Sequence, residues 1–275
     1  MRFKITFNRT GKQRMLPMDY QYYLSAWIYK VIGQADPLFS DFLHSQGYVN
    51  GHRSFKLFGY SPLSFGKPVL WKEKSLFEIQ ENQLSVNISF HLAEAAERFI
   101  IGLFNNQKLY LGDRFNGLDL SVVSVERLPV VDAGGTVAYR ALSPVVVSIL
   151  PEGKKYPDYL NPEHESYEVL LRQNLINKFN STPGNGSIGT ITPFHIKLRS
   201  SPRSKLITIK PYTPEQSKVR GFVFDFTLSC PAEIHHLIEG CGLGEKNSMG
   251  FGWVEPMADS KKVNKIQHET NLQND

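Results

Sequence analysis

Apolar residues in this chain switch from a period of two to a period near 3.6 and back, and the cycle runs twice. Phe3, Ile5 and Phe7 alternate as in a half-buried strand. Tyr20, Tyr23, Leu24, Trp27, Ile28 and Val31 then fall on one helical face, with Asp19 as its expected N-cap. A short second helix is expected from Asp36, with Pro37 in its first turn and Gly47 beyond its end. Residues 55–60 read as a strand, Leu84, Val86, Ile88 and Phe90 as another. Leu92, Ala96, Phe99, Ile100 and Leu103 form a helical stripe before a β-rich stretch over 108–128. The second half repeats the order. A strand is expected over 136–150, then a helix over 162–179 with Val169, Leu170, Gln173 and Ile176 along its face. Strands follow near 194–198 and 206–210, and Phe222, Phe224, Phe226 and Leu228 alternate strongly. A helix near 232–239 and a strand near 251–255 complete the cycle. Two successive βαββαβ units predict an α+β protein of two tandem ferredoxin-like domains. The expected division is 1–130 and 131–257, with the break near Pro129 and Gly134-Gly135, and then a polar, disordered tail over 258–275. Such sheets carry many unrelated functions, so the architecture alone assigns none.

Composition removes several classes. With 41% hydrophobic residues in 275, the chain can build real cores and is not disordered as a whole. No run of about 18 apolar residues is present, so no membrane span is expected. Met1-Arg2-Phe3-Lys4-Ile5 reads as a strand and not as a signal peptide, which makes the cytoplasm the expected location. Two cysteines, Cys230 and Cys241, make neither a disulfide framework nor a zinc ribbon. The net charge is +5, but it is local: residues 195–220 hold seven cations against one acid, Glu215. His195, Lys197 and Arg199 alternate on one strand face, and Arg203 and Lys205 follow a turn at Ser201-Pro202. A segment so poor in acids suits a polyanion better than a merely solvated edge.

The segment Gly240-Cys241-Gly242-Leu243-Gly244-Glu245-Lys246-Asn247-Ser248-Met249-Gly250-Phe251-Gly252 holds five glycines in thirteen residues. It reads either as a tight helix-to-strand connection or as a nest of backbone N–H groups facing phosphates. The dinucleotide fingerprint does not fit, because there the strand precedes the glycines and the helix follows. Gly242-Leu243-Gly244, five residues, then Gly250-Phe251-Gly252 resembles the G-h-G-x5-G-h-G motif of the CRISPR-associated Cas6 endoribonucleases of the RAMP superfamily. Met1-Arg2-Phe3, Tyr20-Gln21-Tyr22-Tyr23-Leu24, Phe42-Leu43-His44 and Leu142-Ser143-Pro144 are similar to further landmarks of that family, so the resemblance runs from residue 1 to about 256.

The resemblance implies two tandem ferredoxin-like domains and a metal-independent cut of precursor CRISPR RNA within each repeat. The 2′-OH attacks the neighbouring phosphate and leaves a 2′,3′-cyclic phosphate and a 5′-OH. No metal or cofactor is expected. The partners implied are the repeat RNA and, beyond it, subunits of a CRISPR interference complex or a second copy of the chain. A non-catalytic RNA-binding subunit of the same superfamily is the alternative.

That chemistry needs proton transfer at two oxygens and a cation for the phosphorane. Histidine suits the transfers, its ordinary pKa being about 6.5. Of eight histidines, His44 closes the short helix where the family carries its catalytic histidine, and His52 is the runner-up. Tyr29 in Trp27-Ile28-Tyr29-Lys30 and Lys56 in Phe55-Lys56-Leu57-Phe58 align with a family active-site tyrosine and lysine. This trio is expected beside the first domain's helix, away from the glycine loop. Contacts to RNA are expected from Lys197, Arg199, Arg203, Lys205 and Lys246, and from Gly242, Gly244, Gly250 and Gly252. Neither His235-His236 nor His164-Glu165 has trustworthy metal-ligand spacing.

Overall fold

Strand β1 (Arg2–Arg9) is central to the first sheet, where both of its neighbours offer apolar partners to Ile5 and Phe7 and one of them also to Phe3. In the computed structural model, which describes residues 1–129 and 134–257, Phe3, Ile5 and Phe7 pair with Ile88, Val86 and Leu84 on one side. Ile5 and Phe7 face Val125 and Val122 on the other. Helix α1 (Gln21–Ala35) and helix α2 (Pro37–Ser45) follow, then β2 (Phe58–Tyr60), β3 (Gln83–Phe90), α3 (Ala93–Asn105), β4 (Lys108–Gly112) and β5 (Gly117–Leu128). The sheet order is β2-β3-β1-β5-β4, which is the ferredoxin-like order with β4 added at an edge. Trp27 of α1 meets Phe7 of the sheet and Phe99 of α3 edge-on, with ring centroids 5.5 and 5.8 Å away. That aromatic wedge seats both helices on one face of the sheet.

The second unit has the same topology. β6 (Gly135–Ala141), α4 (Tyr167–Ser181), β7 (His195–Leu198), β10 (Asp225–Cys230), α5 (Ala232–Cys241) and β11 (Val254–Pro256) make a sheet in the order β7-β10-β6-β11. Between β7 and β10 stands a separate hairpin of β8 (Arg203–Ile209) and β9 (Ser217–Val223). Its apolar side, Ile207, Ile209 and Val219, packs on Val146 and Phe251. The domains are clamped by Arg2, whose guanidinium lies 3.2 Å from Glu239 of α5 and 4.7 Å over the Trp253 ring.

Several local expectations fail for identifiable reasons. Asp19 does not cap α1: the helix starts after Tyr20, with no side-chain cap. Residues 55–60 are not one strand, because Leu57 is buried with φ of 52° and kinks the chain just after Lys56. The β-rich stretch expected over 108–128 is present, as a hairpin turning at Asp113, whose carboxylate accepts from the backbone of Phe115 and Asn116. The strand expected over 136–150 ends at Ala141. On α4, Ile176 and Leu170 pack on the core as expected, but Val169 and Gln173 are exposed while Asn174 and Lys178 are buried, so the buried face is turned from the expected one. Phe222, Phe224, Phe226 and Leu228 are all buried as their alternation implies, but the chain passes from hairpin to sheet at Phe224. The domain break expected at 130/131 and the tail over 258–275 lie outside the described residues.

Candidate active site between the two domains

Helix α2 delivers His44 in its last turn. Asp36 fixes the other end, accepting from the Phe39 amide at 2.9 Å and from the Arg98 side chain at 2.8 Å. At the C-terminus the amides of Gln46 and Gly47 both donate to the Phe42 carbonyl. Gly47 has φ of +66°, and a Cβ there would stand 2.5 Å from the Phe55 carbonyl oxygen and 2.9 Å from Cδ of Lys56. Only glycine therefore ends the helix and lets the Lys56 stem cross it. The Lys56 ammonium donates to the His44 carbonyl at 3.0 Å. Its partial burial pulls its pKa below the ordinary lysine value.

Tyr29 projects from α1 onto the same spot. Its ring meets the His44 imidazole edge-on, with centroids 5.1 Å apart and planes at 86°, and it meets Phe58 at 5.4 Å. Burial pushes the Tyr29 phenol up to about 12, so it stays protonated and cannot serve as a base near neutrality. Tyr29, His44 and Lys56 thus converge, and His44 is exposed to solvent. His52 lies in the turn before Arg53–Phe55, also exposed.

The glycine loop belongs to this site, contrary to the expectation that the trio would stand apart from it. The Ser248 side chain stands near the Tyr29 hydroxyl and offsets part of the rise in its pKa. The Ser25 hydroxyl of α1 donates to the Ser248 carbonyl at 2.7 Å. The loop is built around two buried polar side chains that pattern reading missed. Lys178 of α4 is 2% exposed and donates to the carbonyls of Gly242 (3.0 Å) and Gly244 (2.6 Å) and to Oδ1 of Asn247 (2.6 Å). Asn247 in turn donates to the carbonyls of Leu243 and Phe251, both at 3.0 Å. All four motif glycines have positive φ, and a Cβ at Gly252 would fall 1.9 Å from the Leu243 carbonyl oxygen.

The amides of Gly242, Gly250 and Gly252 donate to the carbonyls of Ile238, Asn247 and Pro144. These glycines, and Gly244 with them, are buried. Their role is to shape the loop, and the amides of Gly242, Gly250 and Gly252 do not face a ligand as a phosphate nest requires. Ser143-Pro144 holds the loop's far end: Ser143 accepts from the Trp253 amide at 2.8 Å.

Between the loop and the first domain runs a cleft of about 300 Å3. Arg53, Phe55 and Lys56 line one side, Asn174 and Lys178 of α4 the floor, and Lys246 and Ser248 the other side. Lys246 is exposed, as its expected phosphate contact requires. Lys197, Arg199, Arg203 and Lys205 are exposed too, but they lie on β7, just after it and on the hairpin, and do not line the cleft. Arg53 joins the cationic rim in their place. Of the remaining histidines, His235 is a core residue, bonded to the Tyr139 hydroxyl at 2.9 Å and the Gly135 carbonyl at 3.0 Å. Among the described residues no group of three or more His, Cys, Asp or Glu is placed to hold a metal ion.

An exposed imidazole, a neutral phenol against it and a half-buried ammonium that lines a cationic cleft can together hold a phosphodiester and move a proton to or from it. Comparison with known families identifies the scaffold. A family model for CRISPR-associated protein Cas6, N-terminal, matches residues 15–117, and one for its C-terminal part matches residues 127–256. The chain belongs to the Cas6 family. A Cas6 relative named CRISPR-associated endoribonuclease in Methanocaldococcus jannaschii is 28% identical over 94% of this chain and 93% of its own. Another of that name in Pyrococcus furiosus is 29% identical over 93% of this chain and 89% of its own. The solved structure of a Cas6-related protein from Pyrococcus furiosus superposes with a TM-score of 0.79 at 22% identity, over 94% of this chain and 99% of that one. A solved structure described as CRISPR associated protein Cas6 gives 0.72 at 25% identity, with 94% and 99% covered. No helix among the described residues is long and apolar enough to cross a membrane.

Proposed function

We propose that this Cas6 protein is an endoribonuclease that cuts precursor CRISPR RNA within its repeats, in the cytoplasm, by attack of a 2′-OH on the adjacent phosphate. The observation that carries this reading is the convergence of Tyr29 of α1, His44 of α2 and Lys56, the last of which also lines the interdomain cleft. The endoribonuclease names of both relatives support it. The 2′-oxygen bonds to phosphorus as the bond to the 5′-oxygen breaks. The His44 imidazole carries the proton transfers and protonates the departing 5′-oxygen. The Lys56 ammonium offsets charge on the phosphorane, and Tyr29 holds the imidazole edge-on. The products are a 2′,3′-cyclic phosphate and a 5′-OH.

The test is cleavage of a labelled repeat RNA from the host's own array in EDTA, beside a substrate with one deoxyribose upstream of the scissile phosphate. One cut of the native RNA with a cyclic phosphate end, and none of the deoxy substrate, is the expected result. Tight binding without a cut of either would make the chain an RNA-holding relative and remove the catalytic assignments.

A further inference from the structure

The tyrosines around the start of α1 take no part in the proposed chemistry. Tyr20 is a core residue whose hydroxyl accepts from the Leu63 amide. Tyr22 and Tyr23 are only partly buried, and their rings meet edge-on with centroids 5.5 Å apart. Tyr22 packs against the cluster of Ile207, Ile209 and Val219, which seats the β8–β9 hairpin of the second domain on the start of α1. Burial raises the Tyr23 phenol to about 12, helped in turn by Asp113, Tyr212, Tyr22 and Asp19. Tyr23 therefore stands beside two hairpin tips, the β4–β5 turn at Asp113 and the β8–β9 turn at Tyr212. Each tip carries a solvated aromatic ring. Phe115 is 70% exposed, with the Arg114 guanidinium 4.5 Å from its ring centre. Tyr212 is 80% exposed.

Tyr212 also holds a φ of 62°, and Lys210 in the same turn a φ of 51°. A bulky side chain is strained there, whereas glycine is not. The turn is nonetheless well tied. The Tyr212 amide donates to the Gln216 side chain at 3.0 Å, the Thr213 hydroxyl donates to the Lys210 carbonyl at 2.8 Å, and Lys210 pairs with Glu215. A ring so exposed gains little from packing to offset its strain, and such outliers gather at ligand-binding surfaces. Lys218 and Arg220 stand exposed on the strand that leaves this tip. Flat rings beside free cations suit an unpaired nucleic acid strand better than an apolar protein face. On α1, Tyr22 and Tyr29 lie about two turns apart on one face, roughly 10 Å along the helix, with the exposed Ala26 between them.

We infer that Tyr212 and Phe115, on the two hairpin tips beside Tyr23, are stacking surfaces for unpaired bases of the repeat RNA near the cut. Stacking tolerates every base, so these rings set the path of the strand and not its sequence. The inference takes its ligand from the endoribonuclease reading.

The experiment measures equilibrium binding of repeat RNA that carries one deoxyribose upstream of the scissile phosphate, with each nucleotide near the cut made abasic in turn. The proteins are wild type, Y212G, Y212W and F115S. Wild-type affinity should fall about 5- to 150-fold at one or two abasic positions, the range for one stacked base. Y212G should lose a similar factor on intact RNA and nothing further at one of those positions, and F115S should do the same at the other. Y212W keeps a stacking ring and should bind like wild type. Glycine is at ease at this φ, so Y212G should resist urea as well as wild type does, which separates a lost contact from a damaged fold. Wild-type affinity in Y212G, or a loss that multiplies with the abasic loss at every position, would overturn the assignment of Tyr212, and the same result in F115S that of Phe115. Cleavage of the all-ribose RNA by wild type, read alongside, keeps the endoribonuclease reading standing in that case. Binding without a cut would overturn that reading while the abasic data still decide the stacking. Failure of the wild type to bind the RNA would overturn both.

Discussion

The Lys56 ammonium is tied to the His44 backbone carbonyl at 3.0 Å, which fixes the cation at the end of α2 that carries the imidazole. Gly47 permits that tie. Replacing Lys56 by Met keeps the stem and deletes the charge. Single-turnover cleavage should fall about 10²- to 10³-fold, the scale for removing one group that stabilises transition-state charge, with RNA affinity changed far less. Gly47→Ala should cost on the order of 1–2 kcal/mol of stability through its positive φ and also slow cleavage, because the added methyl displaces Lys56. Full activity in both variants would remove Lys56 from the mechanism.

His44 is exposed to solvent, with the Tyr29 ring against its side. His44→Ala should lower the cleavage rate about 10²- to 10⁴-fold and leave RNA binding in place. Tyr29→Phe keeps the edge-on contact and removes only the hydroxyl that faces Ser248, so it should cost much less than Tyr29→Ala. Cleavage near the wild-type rate in His44→Ala would transfer the proton-transfer role to His52, which stands in the nearby turn.

The trio was legible in the sequence because each member lies in a short segment similar to a family landmark. Both ferredoxin-like units were legible because their strands alternate cleanly and their helices carry apolar stripes. The junction was not. Lys178 looks like an ordinary cation in the last turn of a helix, and Asn174 interrupts the apolar face on which it lies. The burial of Lys178 follows from partners 64 to 69 residues away, which no local period records. The glycine loop was found by its composition, which left a tight connection and a phosphate nest both open. Glycines at positive φ serve a ligand-facing nest and a tightly folded-back loop equally, and hydrogen bonds decide between them.

Those bonds make Lys178 a strong stability residue. Burial lowers the pKa of its ammonium, while two carbonyls and an amide oxygen hold the charge in place. Lys178→Met fills the space but leaves three acceptors without a donor. The unfolding free energy should drop by about 3 kcal/mol or more, read by urea denaturation. Cleavage should fall as well, since the loop that carries Ser248 loses its anchor. A variant as stable as wild type would mean that water replaces the ammonium without penalty.

The basic surface on β7, just after it and on the hairpin is separate from the cleft, which permits a test that spares the chemistry. Changing Lys197, Arg199, Arg203 and Lys205 together to Gln removes four exposed cations. If each one neutralises a phosphate of single-stranded RNA, the slope of log affinity against log salt should shrink by about 3, at roughly 0.7 per contact. The cleavage rate at saturating RNA should hold. An unchanged slope would direct the RNA path away from this surface and onto Arg53 and Lys246.

His91 supplies a prediction about acid stability. It sits beside Gly240 of α5, where a Cβ would come within 2.8 Å of its Nδ1. Burial, reinforced by the N-terminal ammonium, His236 and Lys178, pulls its pKa down to about 4. The unfolded chain takes up a proton near pH 6.5 and the native state does not until about pH 4. Protons therefore favour unfolding across that window. Stability is at its full value above pH 6.5, declines as the pH falls toward 4, and loses nothing more from this residue below that. The contribution is at most roughly 3 kcal/mol. Denaturant unfolding at several pH values should show that decline, and His91→Asn, which cannot titrate, should flatten it. A decline of equal size in the variant would assign the acid sensitivity to other groups, with the buried His235, whose pKa burial also lowers, as the next to replace.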